Sequence, residues 1–176
     1  MHVAVAGRRI DPLHSEVKQF PLDQIEIVRQ RMQRYIERIA THVYSSAACG
    51  TDLLALEIAR VLGLPFTVIL PFESQIFKEH SVIDRPGDWE RTFENLIHLA
   101  DSQNRLIQLH ESSDNEEAFG IANARILGEA ASAGGKEFAT AIVVWERTPA
   151  PSSDWTAHFV NSATKLGLTI IDIPSV

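Results

Sequence analysis

Six short strand-like stretches, most of them apolar runs too continuous to alternate between a wet face and a dry one, constrain how this chain can fold. They lie at residues 3–6, 42–47, 66–70, 105–109, 139–145 and 169–173. A strand that is apolar without alternation is one covered on both faces. Helical stretches separate them, at residues 24–39, 51–62, 88–101, 116–133 and 154–166. In the first, Ile25, Val28, Met32, Tyr35, Ile36 and Ile39 form one stripe at helical spacing, and Asp23 is placed to cap it. The second is apolar nearly all round, as a helix packed between layers must be, and Gly63 and Pro65 end it. Trp89, Phe93, Leu96, Ile97 and Ala100 share a side of the third. Strands alternating with helices make βαβ units, hence parallel pairing with right-handed crossovers. The fold class expected is therefore α/β: a Rossmann-like, doubly wound, mainly parallel sheet of about six strands with helices on both faces. All 176 residues are expected to form one domain. Its ligand crevice should lie beyond the carboxyl ends of the strands, where the strand order reverses.

Composition narrows the function classes. A formal net charge of −7 disfavours non-specific adhesion to nucleic acid or to an anionic membrane. No apolar run approaches the length of a membrane span. Cys49 is the only cysteine, so neither an internal disulfide nor a cysteine-based zinc cluster can form. A reducing, cytoplasmic setting fits that usage. The seven histidines, His98 and His110 among them, show no metal-ligand spacing.

Two strand-to-helix turns carry the chemistry. Ser45-Ser46-Ala47-Ala48-Cys49-Gly50-Thr51-Asp52 runs from small residues straight into a helix, and Gly7-Arg8-Arg9 follows the first strand. Small residues let a ligand approach the backbone, and a helix start offers unpaired N–H groups to an anion. In one reading Gly50 admits a phosphate or ribose and Thr51 hydrogen-bonds it; in the other Thr51 or Asp52 simply caps the helix. Neither turn is a Walker loop, and no G-x-G-x-x-G follows the first strand. Arg8 and Arg9 suit phosphate through their forked guanidinium groups; otherwise they are a surface pair, or make a salt bridge to Asp11. Cys49 precedes a helix start, which favours a thiolate, but a small buried residue is the simpler reading. Trp89 either packs in the core or stacks on a base, and Glu146 either accepts bonds from a ribose or base or is a solvated strand end. Glu57 reads as a satisfied carboxylate in an apolar helix. Three long connections, at residues 11–22, 72–87 and 148–153, fall at the ligand-binding end and are candidate walls.

These motifs, in this order, resemble the SLOG superfamily of Rossmann-like domains, related to the LONELY GUY phosphoribohydrolases and the DNA-processing protein A family. Gly7-Arg8-Arg9-Ile10-Asp11 is similar to that group's Gly-His-Arg turn with Asp, and Phe20-Pro21 follows. Ala48-Cys49-Gly50-Thr51-Asp52 is like its Ala-x-Gly-x-Asp turn. Leu70-Pro71-Phe72, Phe77, Ser81-Val82, the Trp89-x-x-x-Phe93 helix start, Asn123 and Val144-Trp145-Glu146 complete the likeness. Arg8 stands where the histidine is usual, and the Gly-Gly-Thr turn appears only as Asp154-Trp155-Thr156. Counted from Thr156 or from Thr51, the hydrolases' glutamate falls on Phe159 or Leu54, neither of which can move a proton.

The resemblance implies a nucleotide or nucleotide-derived small molecule, bound or sensed at Gly7, Arg8, Arg9, Gly50, Thr51, Asp52, Ser81, Trp89 and Glu146. Gly7 and Arg8 would flank phosphate or ribose, with Ser81, Trp89 and Glu146 on the base or ribose side. Such domains serve as sensors in bacterial conflict systems, which implies a separate effector protein, and their relatives form homodimers through packed helices. Two alternatives stand beside this: cleavage of a base–ribose bond, using Glu146, Asp11 or Asp52, and a protein-interaction module whose pocket is vestigial.

Overall fold

A computed structural model describes residues 1–148 and 154–176; of the connection expected at 148–153, all but Thr148 lies outside the described residues. The elements run β1 (His2–Gly7), α1 (Ile25–Ile39), β2 (His42–Ser45), α2 (Thr51–Val61), β3 (Phe66–Leu70), α3 (Ser74–Ser81), α4 (Glu90–Ser102), β4 (Leu106–Gln108), α5 (Ala118–Gly134), β5 (Ala139–Trp145), α6 (Trp155–Leu166) and β6 (Thr169–Pro174). The strands form one six-stranded sheet in the order β4-β3-β2-β1-β5-β6, and every pair is parallel. The α/β reading from the sequence therefore holds.

Each face of the sheet buries its own layer. Val3, Val5, Val43 and Val68 point toward α1, α2 and α4, where Val28, Met32, Leu53, Leu56, Phe93 and Leu96 meet them. Ala4, Ala6, Ala141 and Val143 point the other way, onto Ile126 and Leu127 of α5 and Phe159 and Ala163 of α6. The alternation between faces is the two-residue period of a strand, and both sets are apolar because both faces are covered. Helix α2 is the sandwiched one: Leu53, Leu54, Ala55, Leu56, Ile58 and Ala59 are all buried.

Two elements differ from expectation. The connection after β3 contains α3, eight residues in which Phe77 and Ser81 alone are buried. So short and polar a segment carries too little apolar stripe to announce a helix. Asp23 lies in a 3-10 turn, Leu22–Gln24, and caps nothing through its side chain. The chain steps from β1 outward to β4, then returns through α5 to lay β5 against the other edge of β1. The strand order therefore reverses between β1 and β5, and a ligand crevice belongs at their carboxyl ends.

Candidate functional site

At that switch point lies a cavity of about 570 Å³. Its lining comes from the end of β1 (Gly7, Arg8, Arg9), the turn after β2 (Ser46, Ala48), α2 (Asp52), the end of α3 (His80, Ser81), α5 (Phe119, Asn123) and the start of α6 (Asp154, Trp155, Thr156). Gln19 and Asp11 from the connection after β1, and Arg85 from the connection after α3, line it too, and Ala6 and Phe77 complete it.

Arg8 organises one wall. Its Nε and Nη2 donate to the two oxygens of Glu146, each at 2.7 Å. Its Nη1 and Nη2 donate to the two oxygens of Asp154 at 2.7 and 2.9 Å, and Nη2 also reaches the Thr148 carbonyl at 3.0 Å. All three side chains are about nine-tenths buried. Burial opposes the guanidinium charge, but the hydrogen bonds and charges of Glu146 and Asp154 outweigh it and push its pKa further up. Two bidentate pairs hold Arg8 as a fixed plate. Gln19 Nε2 adds a bond to Glu146 Oε1 at 3.1 Å. The Asp11 carboxylate accepts the backbone N–H groups of Gln19 and Phe20, rather than a bond from either arginine, and so shapes the long connection after β1.

The second wall is basic. Arg9 Nη1 donates to both oxygens of Asp84 at 2.9 Å and to the His80 carbonyl at 3.1 Å. Arg85 Nε donates to the same Asp84 at 3.2 Å, and its Nη1 to the Ile10 carbonyl at 3.2 Å. Two arginines thus share one carboxylate.

The sequence directs attention to Gly50 for close approach, and the structure shows what approaches. Gly50 has φ of +94°, and a Cβ there would lie 3.0 Å from Arg8 O and from Ile10 N. It is pressed against the chain's own β1 turn and is not part of the cavity wall. Thr51 is buried behind it, its hydroxyl donating to the Arg8 carbonyl at 2.9 Å. Trp89 is buried in the core, with Nε1 donating to the Pro86 carbonyl at 2.9 Å, and Glu146 stands behind the cavity wall, bonded to the lining residues Arg8 and Gln19. Gly7, Arg8, Arg9, Asp52 and Ser81 do line it.

Asp52 is the unusual titrating group. It is buried at the cavity edge, with Oδ2 accepting the Ala48 N–H at 3.3 Å. Burial lifts its pKa to about 7, against the opposing pull of the Ala48 and Ser45 bonds and the Arg9 charge. Cys49 is buried too, and burial pushes its thiol up to about 11, so it is a packed residue and not a thiolate.

The aromatic part of the wall was hidden in the sequence. Trp155 lies 6.4 Å from Phe119 between ring centroids, and Asn123 Nδ2 donates to the Trp155 carbonyl at 2.9 Å. A Cβ at Gly120 would meet the Trp155 ring at 2.8 Å, so the glycine lets the indole lie against α5. An isolated glycine inside a helical pattern is the signal that could have found this contact. Among the described residues no cluster of histidine, cysteine and carboxylate side chains could hold a metal ion, and no helix is long and apolar enough to cross a membrane.

No family model matches the sequence, and no curated protein matches it. The architecture is similar to the X-ray structure of DNA processing protein A from Streptococcus pneumoniae, with a TM-score of 0.58 at 17% identity. The match covers 98% of this chain and 50% of that one, so the chain spans about half the length of that protein. The likeness is one of fold: the doubly wound α/β architecture expected from the sequence is shared with that structure.

Proposed function

We propose that this cavity binds a nucleotide or nucleotide-derived small molecule. One observation carries the reading: at the switch point of a doubly wound sheet, an aromatic pair, a carboxylate-bracketed arginine and a basic wall line one cavity of about 570 Å³. The volume lies within the range of small-molecule sites, about 300–1,000 Å³. The rings of Trp155 and Phe119 suit a base, and the Glu146–Arg8–Asp154 network with Asn123 suits ribose and amide groups. Arg8 is a positioning residue here, while Gly7, Arg9, Asp52 and Ser81 offer direct contacts. The similarity to DNA processing protein A raises a nucleic acid as an alternative ligand; a net charge of −7 disfavours it.

The test is a thermal-shift screen with nucleoside mono-, di- and triphosphates, linear and cyclic dinucleotides, ADP-ribose and NAD, followed by chromatography of each mixture. A ligand at a hundred times its Kd adds about 2.7 kcal/mol of stability, a shift of several degrees for a chain of this size. A shift with the ligand recovered intact is the expected result, and no shift with any compound refutes the reading. A second reading, cleavage of a base–ribose bond, is favoured by Asp52, whose pKa of about 7 suits a general acid or base at neutral pH. Recovery of free base and sugar phosphate would establish it.

A further inference from the structure

A doubly wound sheet ordinarily seats phosphate at the N-terminus of a helix. Three helices, α2, α5 and α6, put first-turn residues on this cavity, and protein groups already bond N–H groups at each start; at α5 the Ala118 N–H goes to the Asn115 carbonyl at 3.1 Å. At α2 the Thr51 N–H and hydroxyl go to the Arg8 carbonyl at 3.3 and 2.9 Å, and the Leu53 N–H goes to the Ala48 carbonyl at 3.2 Å. The Asp52 carboxyl sits in the same first turn. At α6 the Asp154 carboxylate accepts the Ala157 N–H at 2.9 Å, and Asp154 and Glu146 set two carboxylates against the single charge of Arg8. A phosphate placed at the start of α6 would face two carboxylates, and one at the start of α2 would find the Thr51 and Leu53 N–H groups already bonded.

The surplus positive charge lies elsewhere. Arg9 and Arg85 share Asp84, which leaves one net charge on that wall. Among the described residues the hydrogen bonds of Arg9 all run through Nη1, and those of Arg85 through Nε and Nη1. That leaves Nε and Nη2 of Arg9 and Nη2 of Arg85 as donors in residues that line the cavity. The bonds already made hold both guanidinium groups in place, so little side-chain freedom remains to be lost on binding.

We infer that the anionic group of the ligand, a phosphate or pyrophosphate, seats between Arg9 and Arg85 and not at the start of α2 or α6. The inference rests on the nucleotide reading of the cavity and assigns the end at which the phosphate lies. Neither arginine touches the Arg8 network through a side chain; Arg85 reaches backbone at Ile10 and Arg9 reaches backbone at His80.

The experiment measures Kd by titration calorimetry for adenosine against ADP, guanosine against GDP, cytidine against CDP, and for inorganic pyrophosphate. It uses the full chain and the Arg9→Gln and Arg85→Gln variants. The expected result is a preference for a diphosphate over its nucleoside that falls about tenfold in each variant, the worth of a charge-assisted hydrogen bond, with the nucleoside unchanged. The unchanged nucleoside doubles as the check that each variant is folded. A preference that survives both substitutions, or nucleosides that bind as well as diphosphates, overturns the inference and leaves the nucleotide reading standing. Pyrophosphate that binds the parent chain and not Arg85→Gln, with no nucleoside or nucleotide bound, keeps the anion seat and removes that reading. Absence of any binding refutes both.

Discussion

The two ends of the sheet solve the burial of polar groups in opposite ways. At the carboxyl end Arg8, Glu146 and Asp154 are charged, buried and paired, beside an open cavity. At the amino end His2, His42 and Tyr44 form a stack, with ring centroids of 4.3 Å for His42 and Tyr44 and 5.9 Å for the two histidines. Their polar atoms meet each other and Thr67: His2 Nδ1 lies 3.0 Å from the Tyr44 hydroxyl, and His42 Nε2 lies 2.9 Å from Thr67 Oγ1. Burial, with help from Arg105 and His2, lowers the pKa of His42 to about 4, so the stack is neutral at ordinary pH. The lesson is that neutral groups suffice where the sheet end is simply closed, whereas buried charge at the other end is kept in pairs beside an open cavity.

Arg8→Met should break the charged end most severely. It leaves Glu146 and Asp154 buried without their cation, which costs about 3–5 kcal/mol and lowers Tm by roughly 10 °C or more. Adding Glu146→Gln and Asp154→Asn to that variant should restore much of the loss. Denaturant unfolding of the single and triple variants decides it, and a loss below about 1 kcal/mol in Arg8→Met would show that the network is dispensable.

The next contrast lies in pH. The folded pKa of Asp52, about 7, is above its unfolded value of 3.8, so the folded chain keeps a proton that the unfolded chain has released. Stability should therefore fall as pH rises from about 4 toward 7, each unit of displacement being worth about 1.4 kcal/mol. Asp52→Asn should remove that slope and stabilise the protein most at pH values above 7. Melting curves across the range test this, and a variant with the parent's slope contradicts it.

The smallest effect at neutral pH is expected from His42→Gln. The folded pKa of His42, about 4, is below its unfolded value of 6.5, so the unfolded chain takes up the proton first on acidification. Stability is lost as pH falls from 6.5 toward 4, opposite in sign to Asp52 over much of the same window. His42→Gln should change little at pH 7.5 and should be relatively more stable than the parent at pH 5. Equal relative stability at both values would sink the argument.

The sheet was legible because its strands are continuous apolar runs, and β3 and β5 fall on the residues expected. β4 proved shorter than its apolar run, as an edge strand with one neighbour can be. Helix α3 was hidden by its polarity. Of the residues expected at the site, Gly7, Arg8 and Arg9 at the end of β1 and Asp52 in the first turn of α2 do line the cavity, because strand ends and the helix starts after them meet at one edge of a parallel sheet. Their partners were not legible. The sequence offers Asp11 as the neighbour of Arg8, while the carboxylates that hold it lie 138 and 146 residues along the chain. Gly50 was expected to let a ligand approach, and what approaches it is the backbone of Arg8 to Ile10, a contact between segments that no local pattern reveals.

Those same separations order events in time. The strands β1 to β4 are built from the first 108 residues, and the cavity is incomplete until β5 and α6 bring Glu146 and Asp154 back beside β1. Contacts so distant in sequence bear the largest loop-closure cost and tend to form late. A ligand of this cavity is therefore expected to act as a latch and not as a template. Stopped-flow measurements should show slower unfolding in its presence with the folding rate unchanged, because the ligand grips an arrangement that the folding barrier precedes.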